Sequence, residues 1–268
     1  MTELFGNRLD YLRRIWNMRY FWFALVRNDL NNRYRRSFLG IGWSLLKPLS
    51  MTFVYCIVFA KVFNVSIAEY APFLLIGMTV WQYFTECLLN GAYSFAQGSA
   101  YIRQTQIPLA IFPLRAALGA GFHALVALAV ALAVTWFFTG GLHLLALPYL
   151  IPAMLILAVF GWSLAILSGV LFTHFPDTRH LLEVALQILF YVTPILYRPG
   201  DIQGRSRILL LLEWNPMSSI LALIRTPILD GVAPTADTIL IGLLFVVAVT
   251  VVAATLLRKL ERNLIFWI

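Results

Sequence analysis

Few residues in this chain are spaced for covalent chemistry. The run THFPDTRH (173–180) sets His174, Asp177 and His180 at steps of three, and these are donor types that zinc accepts. Pro176 interrupts the helical face they would share, and no fourth ligand is near. The run therefore reads as a solvated turn in which Asp177 or Thr178 caps the next helix. His123 stands alone in a long apolar run, where packing or an interhelical hydrogen bond explains it better than a proton relay. No local motif joins serine, histidine and carboxylate. No glycine-rich loop ends in Gly-Lys-Ser/Thr to cradle phosphates. Gly40 and Gly42 do not open a dinucleotide fingerprint either, because the third glycine falls on Leu45 and no strand precedes. The sequence predicts no catalytic residue, no metal site and no cofactor held by this chain.

Residues suited to binding are more numerous. Arg33, Arg35 and Arg36 crowd the approach to an apolar run, and guanidinium groups match phosphate oxygens two at a time. The same cluster also serves simple orientation and attraction to anionic lipid. Glu86 shares a helical face with Gln82 and Asn90, four residues to either side. Such a stripe faces protein or water rather than lipid, as a hydrated pathway or as helix-to-helix glue. Tyr55, Tyr83, Phe84 and Phe190 fall near the middle of apolar runs. Their rings can stack on sugar faces, or pack helices in the ordinary way. Residues 99–108, within SAYIRQTQIPLAIFPLR, form a compact helix-and-proline element. Tyr101, Ile102, Arg103, Gln104, Thr105 and Gln106 give it the size of a ball for another protein's socket.

The elements that must position these residues follow from composition. Of 268 residues, 61% are hydrophobic and 12% charged, with a net charge of +8. A soluble domain is about half apolar and a quarter charged, so the apolar surface here needs a bilayer. Six segments are long enough to cross it as helices: 42–63, 71–97, 109–138, 144–173, 180–197 and 239–257. Helices are required because each backbone polar group must be satisfied within its own span. Residues 8–36 begin with a polar stripe at Asp10, Arg13, Arg14 and Asn17 opposite Leu9, Leu12, Ile15 and Trp16, the pattern of a helix lying in the interface. Six crossings put both termini on one side. Fourteen lysines and arginines fall on that side and four on the other, which assigns the termini to the cytoplasm. The fifth connection contains two apolar pieces, 208–212 and 217–224, broken by Glu213, Asn215 and Pro216. Residues 208–229 read as a re-entrant helix pair at the outer face, or as an amphipathic hairpin on its surface. The fold class is thus all-α and integral to the membrane.

YRRSFLGIGWSLLKPL (34–49), FLLIGMTVWQYFTECLLNGAYSFAQGSAYIRQTQIPLAIFPLR (73–115), YVTPILY (191–197) and EWNPMSSILALIRTPILDG (213–231) resemble the permease subunits of type-2 ABC transporters that export polysaccharides. The likeness is nearest to O-antigen (lipopolysaccharide) exporters, with teichoic-acid and capsule exporters related, and it keeps the order of elements along almost the whole chain. One departure is Phe175-Pro176-Asp177, where the family often has Phe-Arg-Asp. The resemblance implies a homodimer in the bacterial inner membrane, joined by two copies of a cytoplasmic ATPase that bind the ATP and magnesium. It implies a glycan on a polyprenyl diphosphate as substrate, with Arg33, Arg35 and Arg36 at its headgroup. Tyr55, Gln82, Tyr83, Phe84, Glu86, Asn90 and Phe190 would line the channel, and Tyr101 to Gln106 would receive the ATPase stroke. The competing readings are a membrane enzyme acting on a polyprenyl-linked sugar, a secondary transporter, and an exporter of the same build for another lipid or a drug.

Overall fold

The computed structural model describes residues 8–35, 37–198 and 215–261. Among these the only regular structure is helix: α1 (Arg8–Asn17), α2 (Arg19–Tyr34), α3 (Gly42–Val62), α4 (Ile67–Ala92), α5 (Ser94–Gln104), α6 (Ile111–Thr139), α7 (Leu150–His174), α8 (Thr178–Val192), α9 (Pro216–Arg225) and α10 (Ala236–Glu261). A 3-10 turn (Leu147–Tyr149) leads into α7, and a π turn (Thr226–Asp230) follows α9. Arg36 and residues 208–214 of the expected re-entrant pair lie outside the described residues.

Among the described residues, four helices are long and apolar enough to cross a bilayer: α3, α6, α7 with its leading turn, and α10. The expected second and fifth spans differ from these. α4 has ample length at 26 residues, but 16 of them are buried. It is the axis of the bundle, packed by α3, α6, α7, α8 and α9, so its surface carries polar residues that a lipid-facing helix could not. The expected run 71–97 is broken at Tyr93, where α4 gives way to α5. α8 stops after 15 residues, about 22 Å at 1.5 Å per residue. Thr193 turns extended because the following Pro194 disfavours helix in the residue before it.

The interface segment expected as one piece over 8–36 is two helices. Met18 leaves helical geometry between α1 and α2, and the Trp22 indole donates to the Ile15 carbonyl across the break at 3.1 Å. α2 ends at Tyr34, and the chain reverses through Gly40, whose φ of 51° is left-handed and suits a residue without Cβ. Among the described residues, two helix starts carry a side-chain cap. The Ser66 hydroxyl accepts from the Glu69 amide at 3.3 Å, and the Asn215 side chain accepts from the Met217 amide at 3.0 Å with Pro216 at the first helical position. These are the residue types that satisfy free N-terminal amides. At Thr178 the expected cap is not made. Asp177 makes no capping bond, and the Thr178 hydroxyl turns back to the Phe175 carbonyl.

Two cores organise the chain. The larger joins α3, α4, α6, α7, α8, α9 and α10. The smaller joins α1, α5, the start of α6 and the last turns of α7 and α10 through Ile15, Phe95, Phe112, Val170 and Leu257, and it forms the basic end of the bundle. Contact between α4 and α7 depends on small residues. Gly161, Ala165 and Gly169 recur every fourth residue on α7, and a Cβ on Gly91 of α4 would meet the Ala165 backbone and the Ser168 hydroxyl. In membranes, stripes of this kind let helix backbones approach closely.

At the opposite end, Arg225 on α9 is buried. Its guanidinium donates to the carbonyls of Pro194 (2.7 Å), Ile195 (3.0 Å) and Phe73 (3.3 Å), and its Cζ lies 3.7 Å from the Phe73 ring centroid. Gly77 leaves the room it needs, since a Cβ there would meet the guanidinium.

Gly91→Ala is expected to destabilise the chain by about 1–3 kcal/mol, the usual cost of overpacking against backbone. Gly121→Ala, where a Cβ meets only an ordinary contact with Tyr83, should leave stability unchanged. Thermal melting of both variants in detergent checks the difference.

Candidate functional site

The last turn of α2 is fastened to three other helices. The Arg33 nitrogens Nη1 and Nη2 lie 3.4 Å from the two carboxylate oxygens of Glu86 on α4. Glu86 also accepts from Gln82 Nε2 at 3.1 Å. Next to Arg33, the Tyr34 hydroxyl lies 2.6 Å from Ser44 Oγ on α3 and 3.0 Å from His123 Nδ1 on α6, and Ser44 Oγ is 2.9 Å from the same nitrogen. One turn earlier, Asp29 takes a two-pronged ion pair from Arg115 on α6. His123 is thus an interhelical hydrogen-bonding residue.

Two cavities flank α2. One, of about 220 Å³, is polar, with Asp29, Arg33, Asn90, Ser94, Gln97 and Arg115 among its walls. The other is a larger apolar groove of about 1380 Å³ between α2, α6 and α7, with Trp22, Met154 and Trp162 in its lining and Arg27 and Arg35 at its edge. Arg33 and Arg35 therefore border different spaces on either side of one helix.

The expected channel residues fall into three groups. Gln82, Glu86 and Asn90 share the face of α4 toward α2. Tyr55 and Phe190 meet in a ring cluster between α3, α4 and α8, with centroids 6.3 Å apart and Trp81 5.8 Å from Phe190. Tyr83 and Phe84 are buried against α7. The Tyr83 hydroxyl donates to the Leu157 carbonyl at 3.2 Å, and Phe84 meets Phe160 edge-on at 5.1 Å. Phe84 is 1% exposed, while Tyr83, 5% exposed, also borders the larger groove.

Residues 99–108 comprise the end of α5 and an extended exit at Thr105. Tyr101, Arg103, Gln104, Thr105 and Gln106 are exposed, while Ile102 packs into the smaller core. The Tyr101 ring rests edge-on against Phe21 of α2 at 5.5 Å, so α5 touches α2 directly. Of the residues once weighed as metal donors, His174 bonds the Val170 carbonyl at 2.9 Å, and His180 lies 3.8 Å from Glu183.

Sequence reasoning missed a further fastening at the basic end. The Tyr11 hydroxyl donates to Glu261 and accepts from the Ala110 amide at 3.3 Å, and Glu261 also accepts from the Leu109 amide at 3.2 Å. This cluster ties α1, the turn before α6 and the end of α10. Its only sequence signal was a carboxylate among the basic residues 258–262.

Residues 20–229 match the model of a protein family described as ABC-2 type transporter. An O-antigen export system permease protein, RfbA, of Klebsiella pneumoniae is 29% identical over 241 residues, 89% of this chain and 91% of its own length. A second Klebsiella pneumoniae protein of that name is 29% identical over 226 residues, 82% of this chain and 86% of its own. The Myxococcus xanthus RfbA is 26% identical over 218 residues, 78% of this chain and 80% of its own.

Burial, then the neighbouring Glu261 carboxylate, pushes the Tyr11 phenol far above its usual range. A proton held more tightly in the folded chain contributes stability below the unfolded pKa of about 10, and that stability is lost as pH rises further. Tyr11→Phe should cost roughly 1–2 kcal/mol at neutral pH. Its melting temperature should then fall less steeply than the wild type's between about pH 10 and 11. Melting curves across that range check both the magnitude and the sign.

Proposed function

The chain belongs to the ABC-2 type transporter family, and from that premise we propose that it is the permease of an exporter carrying an O-antigen-like polysaccharide on a polyprenyl diphosphate across the bacterial inner membrane. The observation that carries this reading is the likeness, along about nine-tenths of both chains, to a permease named for O-antigen export. α4 and α8 complete six crossings with the four long apolar helices. α4 is shielded from lipid by its neighbours, and α8 crosses with its extended tail. The lysine and arginine balance supports cytoplasmic termini, with residues 215–229 at the outer face.

Two copies assemble around the path. Exposed apolar side chains on α3, such as Phe53 and Ile57, and on α8, such as Ile188 and Leu189, suit contact with a second copy or with lipid. Each copy engages a separate ATPase through Tyr101 to Gln106, and the ATPase binds ATP and magnesium. The contact of Tyr101 with Phe21 lets a push on α5 reach α2. Arg33, Arg35 and Arg36 draw the diphosphate to the cytoplasmic entrance, where Arg33 borders the polar cavity and Arg35 the apolar groove. The ring cluster of Tyr55 and Phe190 and the amides of Gln82 and Asn90 offer weak, repeated contacts, which let a polymer slide where one tight site would stall it. Tyr83 already borders the larger groove, and Phe84 joins the path only when α4 and α7 separate.

Loss of the gene in its host should remove polysaccharide from the cell surface and leave lipid-linked glycan inside, with recovery only when the chain and its ATPase are both supplied. Electrophoresis of extracted lipopolysaccharide reads the outcome, and unchanged surface polysaccharide would refute the proposal. Orientation has its own test. A cysteine at Gln104 should react with an impermeant maleimide in inside-out vesicles and not in whole cells, against the low background of the buried Cys56 and Cys87.

A further inference from the structure

We propose that the polar cavity between α2, α4, α5 and α6 is a binding site for a phosphate or diphosphate group, and that Arg33 leaves Glu86 to hold that group when the site fills. The space fits. A volume of about 220 Å³ equals roughly seven waters at their liquid share of about 30 Å³ each, enough for a diphosphate. The walls are built for an acceptor-rich ligand. Ser94 is 4% exposed, and its hydroxyl has no hydrogen-bond partner, a condition that native structures rarely leave unexplained. Asn32, Asn90 and Gln97 stand exposed at the rim and supply neutral amide donors.

Two guanidiniums line the cavity, and geometry separates them. Arg115 grips Asp29 through both Nε and Nη2, and its side chain is 14% exposed. The Asp29 charge is answered by that grip. Arg33 stands 3.4 Å from both Glu86 oxygens, with its side chain 48% exposed. Charge-assisted N–H···O contacts close to about 2.7–2.9 Å when firmly made, so Arg33 is the exchangeable cation. A phosphate in the cavity competes with Glu86 for it, and the abandoned carboxylate keeps its bond from Gln82. The remaining titratable wall, His123, is held by Tyr34 and Ser44. Filling the site therefore unties α2 from α4 while Tyr34 keeps it on α3 and α6. In this way the chain registers an occupied entrance. The identity of the carrier rests on the transport reading; the cavity and the exchange rest on these contacts.

The test is binding of farnesyl diphosphate to the full chain in phosphatidylcholine nanodiscs, by calorimetry, with melting temperatures recorded for every variant. Gly119 lines the cavity, and a Cβ there meets open space, so Gly119→Leu should fill the site without disturbing a charge. It should weaken binding at least tenfold, and Arg33→Gln should do the same. Glu86→Gln removes the competing carboxylate and should tighten binding about fivefold, within the usual range of coupling between sites. The exchanged pair Arg33→Glu with Glu86→Arg should melt like wild type and fail to bind. Wild-type affinity in Gly119→Leu or in the exchanged pair would overturn the site. Unchanged or weaker binding in a normally melting Glu86→Gln would overturn the exchange. Inorganic diphosphate competing as well as farnesyl diphosphate, or phosphatidylglycerol discs abolishing binding, would overturn the assignment to an isoprenoid carrier. Surface polysaccharide that survives loss of the gene would refute the export reading and leave these binding results standing.

Discussion

A polar group buried without a partner is costly, and α4 is the helix on which that constraint bears hardest. Glu86 is answered by Arg33 and Gln82, the Tyr83 hydroxyl by the Leu157 carbonyl, the Tyr70 hydroxyl by the Leu196 carbonyl at 2.5 Å, and the Thr79 hydroxyl by its own helix at 2.8 Å. Each answer comes from a different direction. Meeting them all draws α2, α7 and the unwound end of α8 around a single axis, so the polar content of α4 is what assembles the bundle.

The basic end is joined to that axis by packing and by ion pairs together. Glycine and alanine on α7 bring α4 close enough for Phe95, at the start of α5, to reach the smaller core. α5 in turn leans on α2 through Tyr101 and Phe21. Force applied to the exposed tip of α5 meets the same helix that carries Arg33 and Tyr34. The route from the tip of α5 to the polar seam is short because both ends of it lie on α2.

How much of this was legible depended on range. α3, α6, α7 and α10 were readable because long apolar runs announce themselves residue by residue. The stop of α8 also had a signal in Pro194, which the hydropathy of YVTPILY concealed. The breaks at Met18 and Tyr93 had none, since no glycine or proline stands at either position and tertiary contacts decide both. Glu86 was recognised as needing a partner, yet Arg33 lies 53 positions away, and the pairing exists only because the chain reverses through Gly40. Arg225 was counted as a charge in an outer connection. Nothing local distinguishes a solvated arginine from one that carbonyls and a phenyl ring enclose.

That enclosure bears on how the far end can move. The guanidinium of Arg225 is bound to oxygens from the unwound segment after α8 and from α4, and it lies over a ring of α4. Withdrawing α9 alone would strand a charge among apolar side chains, which is prohibitive without hydration. Pulling α9 outward must therefore carry Pro194, Ile195 and the Phe73 turn with it, or admit water first. This end of the bundle behaves as one rigid plug whose release is gated by wetting rather than by the bending of any single helix.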